Sequence, residues 1–326
     1  MGQWSKTQHL VPGGDFYYVP SQLGERLMTS PIYEVDSVGT FIEMFEDAFP
    51  DCSKWTEVPV SDRIMQIVAR NKEWVQASTH FAVDEFMRAQ KLKKVPNVLR
   101  PIATYFTPEI RKITGHYRVA EKTTIPLVNE RKRTGRRATD LLYWMDEKAK
   151  GAKTNPRFLA SILLEVNFAT IQTSAAAPSQ LIFDLCKHPK YIQPLRENYE
   201  RVLDSEGRIN KWGYFQIPKF DSIVKESSRF NPLLLLTFKR IIIKYLTLSN
   251  GFTIPANITI GVFTEVITMD PKIYPNPYEF DGFRFLKLRE EDASMKGKGQ
   301  YVASNPNSMA FGHGRHACSG RFFEAQ

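Results

Sequence analysis

Cys318 lies in the run Phe311-Gly-His-Gly-Arg-His-Ala-Cys318-Ser-Gly320, where an aromatic, a glycine, a cysteine and a second glycine fall at F-x-x-G-x-x-x-C-x-G spacing. A thiolate is a nucleophile or a soft metal ligand, and its reactivity is set by the groups that surround the sulfur. Gly314 and Gly320 give the backbone freedom to bend, so that amide groups can point at the sulfur and temper its electron donation to a metal. Phe311 would pack beside the thiolate and keep water away. A lone cysteine is more often an inert, small apolar residue, so this run needs support from elsewhere in the chain. Cys52 and Cys186 lack flanking glycines, and no CxxC pair occurs, which argues against a disulfide framework or a zinc finger.

Two further constellations stand upstream. In Glu226-Ser-Ser-Arg229 the three-residue spacing puts both side chains on one helix face. Taken alone, that is an ordinary exposed ion pair. The segment Phe168-Ala-Thr-Ile-Gln-Thr173 sets small residues and hydroxyls inside an apolar run. A hydroxyl there can relay a proton, although a helical threonine usually bonds back to a carbonyl of its own helix.

The elements that must position these residues are mostly helical. Apolar residues recur at helical spacing over Ser61–Trp74 and Ser78–Gln90, and Pro108–Arg133 continues as long, charged, helix-favouring sequence. Gly151–Pro156 reads as a loop. Phe158–Cys186 then reads as one long helix that Pro178 should kink, and Ile217–Phe230 as another, stopped at Asn231-Pro232. Thr237–Ile243 and Leu246–Ile254 are rich in β-formers, with Asn250-Gly251 suited to a hairpin turn. Asp270–Phe285, with Pro271, Pro275 and Pro277, is an irregular meander, and the chain ends in a loop and the start of a helix. The expected fold class is therefore mainly α with small β-sheets.

The 326 residues are 42% hydrophobic and 24% charged, ordinary for a chain that buries a core. The net charge of +9 gathers at Lys91, Lys93 and Lys94 and at Arg131, Lys132, Arg133, Arg136 and Arg137. A basic face suits an acidic protein, an anionic lipid or nucleic acid, but no nucleic-acid motif or aromatic interleaving accompanies it, so no nucleic-acid partner is expected. Phe158–Ala177, the most apolar stretch, is interrupted by Glu165, Asn167 and Gln172 and reads as a buried helix rather than a membrane span.

The cysteine run, the E-x-x-R helix followed by a hairpin, meander and Phe283-Arg284-Phe285, and the segment ending at Thr173 occur in an order that resembles the cytochrome P-450 family of haem-thiolate monooxygenases. The resemblance covers about Asp47 to Gln326. It is closest to fungal enzymes that oxidise polycyclic terpenoids and alkaloids, as in Lys225-Glu-Ser-Ser-Arg-Phe-Asn-Pro232 and Gly314-Arg-His-Ala-Cys318. It implies haem b with Cys318 as axial ligand, with Phe311, Gly314, His316 and Gly320 also in contact with the cofactor. It implies a structural network of Glu226, Arg229 and Arg284, and a catalytic Thr173 beside bound oxygen. It further implies a small hydrophobic metabolite as substrate, electrons from an NADPH-dependent flavoprotein reductase, and an endoplasmic-reticulum location through an N-terminal helix.

Against the family, Thr170 stands where glycine or alanine is usual and Gln172 where an acid or histidine is. No N-terminal anchor is found, which predicts a cytoplasmic or peripheral chain. Helices over the haem are missing between Phe45-Glu46 and Asp47-Ala48, a second gap falls between Ala69-Arg70 and Asn71-Lys72, and the chain stops eight residues after Cys318. The sequence thus reads as one incomplete domain of this fold over 1–326. Two functions follow: a non-catalytic remnant that does not turn over substrate, which is the favoured expectation, or an active monooxygenase.

Overall fold

The structure is a computed structural model and describes residues 58–68, 72–138, 140–204 and 216–324. The proposed gap at Phe45-Glu46, Cys52, and the break between Ala69-Arg70 and Asn71 lie outside the described residues. Two compact units divide the chain at Ala175.

The first unit is helical: α1 (Val60–Val68), α2 (Lys72–Lys93), α3 (Glu109–Thr134), α4 (Leu141–Lys148) and the first part of α5 (Pro156–Lys187). Of the stretch Ser61–Trp74 expected to be helical, the described residues up to Val68 lie in α1 and those from Lys72 in α2. On α2, Trp74, Ala77 and Phe81 are three and four residues apart and form one stripe. They pack with Ile113 and Ala120 of α3 and Ala160 and Leu164 of α5. Val128, Leu142, Met145, Leu159 and Ile162 form a second cluster. Gly135 ends α3 in the left-handed conformation (φ 66°), and the Asp140 carboxylate starts α4 by accepting from the Tyr143 amide at 2.8 Å. The same carboxylate pairs with Arg131, and Lys132 pairs with Asp146 at 2.8 Å. Part of the basic run is thus neutralised within its own unit.

Helix α5 is one long helix, as the sequence suggested, with Pro178 inside it. It is the one helix among the described residues long and apolar enough to cross a membrane. Leu159, Ala160, Ile162, Leu164, Ile171 and Ala175 are nevertheless buried, and Glu165 interrupts the run, as in the core helix of a globular unit.

The second unit holds the rest of α5, α6 (Ile192–Glu200), α7 (Pro218–Phe230), four short strands and α8 (Arg284–Glu291). Tyr191, Leu195 and Ile223 form its core, with Phe280 and Phe283 of the meander packed against them. The Asn250-Gly251 turn joins β2 (Leu246–Thr247) to β3 (Thr253–Ile254), and Gly251 has φ 85°. Around this hairpin, β1 (Leu236–Ile241) pairs antiparallel with β4 (Thr259–Phe263), a strand not singled out in the sequence. The register slips between Thr237 and Arg240, at a bulge where Phe238 takes φ 53°. The meander is irregular as expected, but Arg284 begins a helix.

Candidate functional site

Helix α7 carries most of the ordered polar structure of the second unit. Its first turn holds Pro218, whose fixed φ suits a helix start, and Asn198 of α6 accepts from the Lys219 amide at 3.0 Å. Glu226 is fully buried. Arg229 forks onto it, Nε to Oε2 and Nη2 to Oε1, both at 2.8 Å. Arg284 reaches the same carboxylate from α8, with Nε 3.1 Å from Oε1 and 3.2 Å from Oε2, and the Asp281 amide donates to Oε1 at 3.0 Å. The outer guanidinium nitrogens hold the meander: Arg229 Nη1 donates to the carbonyls of Thr268 (2.7 Å) and Pro277 (2.9 Å). Arg284 donates to those of Pro275, Asn276 (3.2 Å) and Glu279 (2.8 Å). One buried carboxylate and two guanidiniums thus fasten a proline-broken chain that has no ladder of its own. The three residues named from the sequence are brought together.

The neighbouring Lys225 went unnoticed in the sequence. It is 4% exposed, and its Nζ donates to the carbonyls of Gln300 (2.6 Å), Lys298 (3.2 Å) and Ala303 (3.4 Å). Burial pushes its ammonium down to about 8, against the opposing pull of Asp221. Asp184 is a second buried group that was passed over: it accepts from Ser227 Oγ at 2.6 Å and from Asn231 Nδ2 at 3.1 Å, tying α5 to the end of α7.

The cysteine loop follows. Gly312 (φ 74°) and Gly314 (φ 69°) take left-handed backbone, so the required freedom falls on Gly314 as expected and on Gly312, which was overlooked. Gly314–His316 forms a single tight turn, and the Cys318 amide donates to the Phe311 carbonyl at 2.7 Å. Arg321 Nη1 donates to the Cys318 carbonyl at 2.8 Å. Gly320 lies two residues beyond Cys318, just before the last helical turn, Arg321–Glu324. Cys318, Arg315 and His316 are exposed, Phe311 is half-buried against the Tyr301 ring, and His313 Nδ1 is buried with no hydrogen-bond partner. Among the described residues no group of three His, Cys, Asp or Glu side chains gathers to hold a metal. A single thiolate suffices as protein ligand for a metal that brings its other ligands with it, as haem iron does. The exposed thiol fits that requirement.

Thr173 belongs to the first unit and is exposed. Its hydroxyl donates to the carbonyls of Ala169 (2.7 Å) and Thr170 (3.2 Å). Gln172 donates to Thr79 Oγ1 at 2.5 Å, and Thr170 to the Val166 carbonyl at 2.9 Å. One turn earlier, Glu165 faces the Tyr117 hydroxyl at 3.5 Å. Burial raises the Glu165 carboxyl to about 7, and the Glu85 carboxylate adds to the rise. Burial pushes the Tyr117 phenol up as well.

Residues 50–324 match the Cytochrome P450 family model. The chain is 35% identical over 301 residues to "Cytochrome P450 monooxygenase braC" of Annulohypoxylon truncatum, covering 86% of this chain and 60% of that protein. It is 31% identical over 286 residues to "Ent-kaurene oxidase" of Gibberella intermedia, covering 83% and 54%. With "Cytochrome P450 monooxygenase AN1598" of Emericella nidulans it is 31% identical over 354 aligned positions, covering 99% and 64%. The chain thus spans less than two thirds of the length of these relatives. Because it has only 326 residues to fill those 354 positions, at least 28 positions of the last relative have no counterpart within the matched region.

Proposed function

This chain belongs to the cytochrome P450 family, and we propose that its second unit is the thiolate-presenting half of a haem monooxygenase site that, in this chain, does not turn over substrate. The observation that carries the first half of the reading is the Cys318 loop, with two left-handed glycines and the Cys318 amide folded back on the Phe311 carbonyl. In it Cys318 would ligate the iron, Phe311 would shield the sulfur, and Arg315 would offer a guanidinium and His316 a ring nitrogen to the carboxylates of the macrocycle. Gly314 and Gly320 would let the backbone approach. Haem, when bound there, supplies oxygen activation for insertion into a small hydrophobic metabolite. The substrate class in this reading is a polycyclic terpenoid or alkaloid, which one relative's name, "Ent-kaurene oxidase", supports on the terpenoid side, and the source of electrons is an NADPH-dependent flavoprotein reductase, as the family resemblance implies.

The 28 or more unmatched positions favour the silent reading. Thr173 adds to it: to relay a proton, its hydroxyl must leave two carbonyls of its own helix. Coexpression with a matched reductase and a haem supply tests both halves. Haem bound through a thiolate without NADPH-dependent product is the expected result. Oxygenated product would establish the active alternative, and a chain that takes up no haem would remove the thiolate assignment.

A further inference from the structure

Lys225 is among the most buried charged groups of the second unit; its hydrogen bonds go to the 298–303 turn and none to Glu226 beside it, and its Nζ lies 5.2 Å from the centre of the Phe285 ring. The ammonium has three N–H donors and no acceptor, and three backbone carbonyls, of Lys298, Gln300 and Ala303, meet them. These carbonyls belong to a turn with no strand or long helix to hold it. The Tyr301 amide in that turn donates to Asp221 Oδ1 at 2.9 Å, so α7 grips it at two points one helical turn apart. Tyr301 in turn packs edge-on against Phe311, with ring centroids 5.1 Å apart and planes at 69°. Phe311 supplies the carbonyl that accepts the Cys318 amide. Ser304, just past the same turn, donates to the Gly312 carbonyl. A continuous set of contacts therefore runs from Lys225 through the 298–303 turn and Tyr301 to the backbone that presents the thiol.

We propose that Lys225 is a positioning residue for Cys318: by holding the 298–303 turn it fixes Tyr301 and Phe311, and with them the left-handed loop that carries the cysteine. On α7, adjacent residues thereby have separate tasks, Glu226 fastening the meander and Lys225 fastening the approach to the cysteine loop. An apolar side chain removes the ammonium donor from all three carbonyls and leaves that of Gln300 with the Ala303 amide and that of Lys298 with Asn305 Nδ2 at 3.5 Å. The assignment of a positioning role concerns the polypeptide; its consequence for iron rests on the haem-thiolate reading above.

The experiment is hydrogen exchange on the full haem-free chain, comparing the Cys318 amide with the Asp281 amide, which donates to Glu226 and reports on the neighbouring network. Lys225→Met should speed exchange at Cys318 at least tenfold and leave Asp281 unchanged, and Tyr301→Leu should give the same pattern. Lys225→Gln, which keeps two donors, should fall between wild type and Lys225→Met, and it decides the question if the methionine variant does not fold. Unchanged exchange at Cys318, or equal acceleration at Cys318 and Asp281, would overturn the proposal. With haem added, the same variants should convert part of the ferrous carbon monoxide spectrum from the thiolate to the neutral-thiol type. A wild-type chain that takes up no haem would count against the haem-thiolate reading alone, because the exchange result is obtained without haem.

Discussion

Replacing Arg229 by alanine removes two charge-assisted hydrogen bonds from the Glu226 carboxylate and one donor each from the Thr268 and Pro277 carbonyls. Glu226 is fully buried, so water cannot enter to take the place of the guanidinium without opening the core. Two opposing estimates bound the cost. Breaking a buried pair by deleting one partner costs about 3–5 kcal/mol, because an uncompensated charge stays behind. Arg284 and the Asp281 amide remain on the carboxylate, however, and keep it from being left wholly alone. The lower end, about 3 kcal/mol, is therefore expected, with roughly 0.5–1 kcal/mol more from the lost contacts of the guanidinium with the Phe230 and Tyr274 rings. Urea unfolding followed by a probe in the second unit measures this as a fall in midpoint at unchanged slope. A loss below about 1 kcal/mol would refute the argument, since that is the value of an exposed pair. Glu226→Gln should cost more than Arg229→Ala, because it leaves two buried guanidiniums without an anion, and the double variant should show a coupling energy above about 1 kcal/mol.

Three further outcomes follow from the geometry. Cys318→Ala should abolish the thiolate-type ferrous carbon monoxide spectrum of the haem-loaded chain, whereas Cys186→Ala should leave it intact, because the glycine turn that presents a sulfur is formed at Cys318. Glu165 should make the first unit less stable as pH rises: unfolded, its carboxyl ionises above its ordinary value of 4.5, but folded it holds its proton to about 7. The native state thus binds more protons across that window, and a series of unfolding midpoints at pH 4.5 to 7 should fall in wild type and flatten in Glu165→Gln. Asp140→Ala should destabilise the first unit by about 1 kcal/mol, read by chemical denaturation, since it loses both the cap on Tyr143 and the pairing with Arg131.

What the sequence made legible was set by how local each signal is. Helix α7 could be read up to its Asn231-Pro232 stop, and the cysteine loop from four residues at fixed spacing. Fixed spacing also hid something: the pattern drew attention to Gly314 and Gly320, and Gly312, whose left-handed backbone bends the loop just after Phe311, went unremarked. Arg284 was named only through its resemblance to a family pattern, and its helix was missed because Arg284–Glu291 is mostly charged, with just Arg284 and Phe285 buried. Strand β4 was missed because its pairing with β1 closes around a hairpin already assigned.

Lys225 shows why the rest was not legible. A lysine beside a glutamate on a helix with a strong polar face reads as solvated, and its burial depends on carbonyls 73 to 78 residues further along the chain. Carbonyl oxygens are present at every position, so no residue type announces a cage made of them. The same holds for Asp184, whose partners Ser227 and Asn231 are over forty residues away. Ionic residues of this kind are recognised only when the fold has brought main-chain groups to them. Helix α7 gathers several of them: it places Glu226 and Arg229 against the meander, Lys225 against the turn before the cysteine, and Ser227 against Asp184 of α5. The contacts of Glu226, Arg229 and Lys225 fasten irregular segments that secondary structure does not hold, and the last of these leads through Tyr301 and Phe311 to the backbone at Cys318.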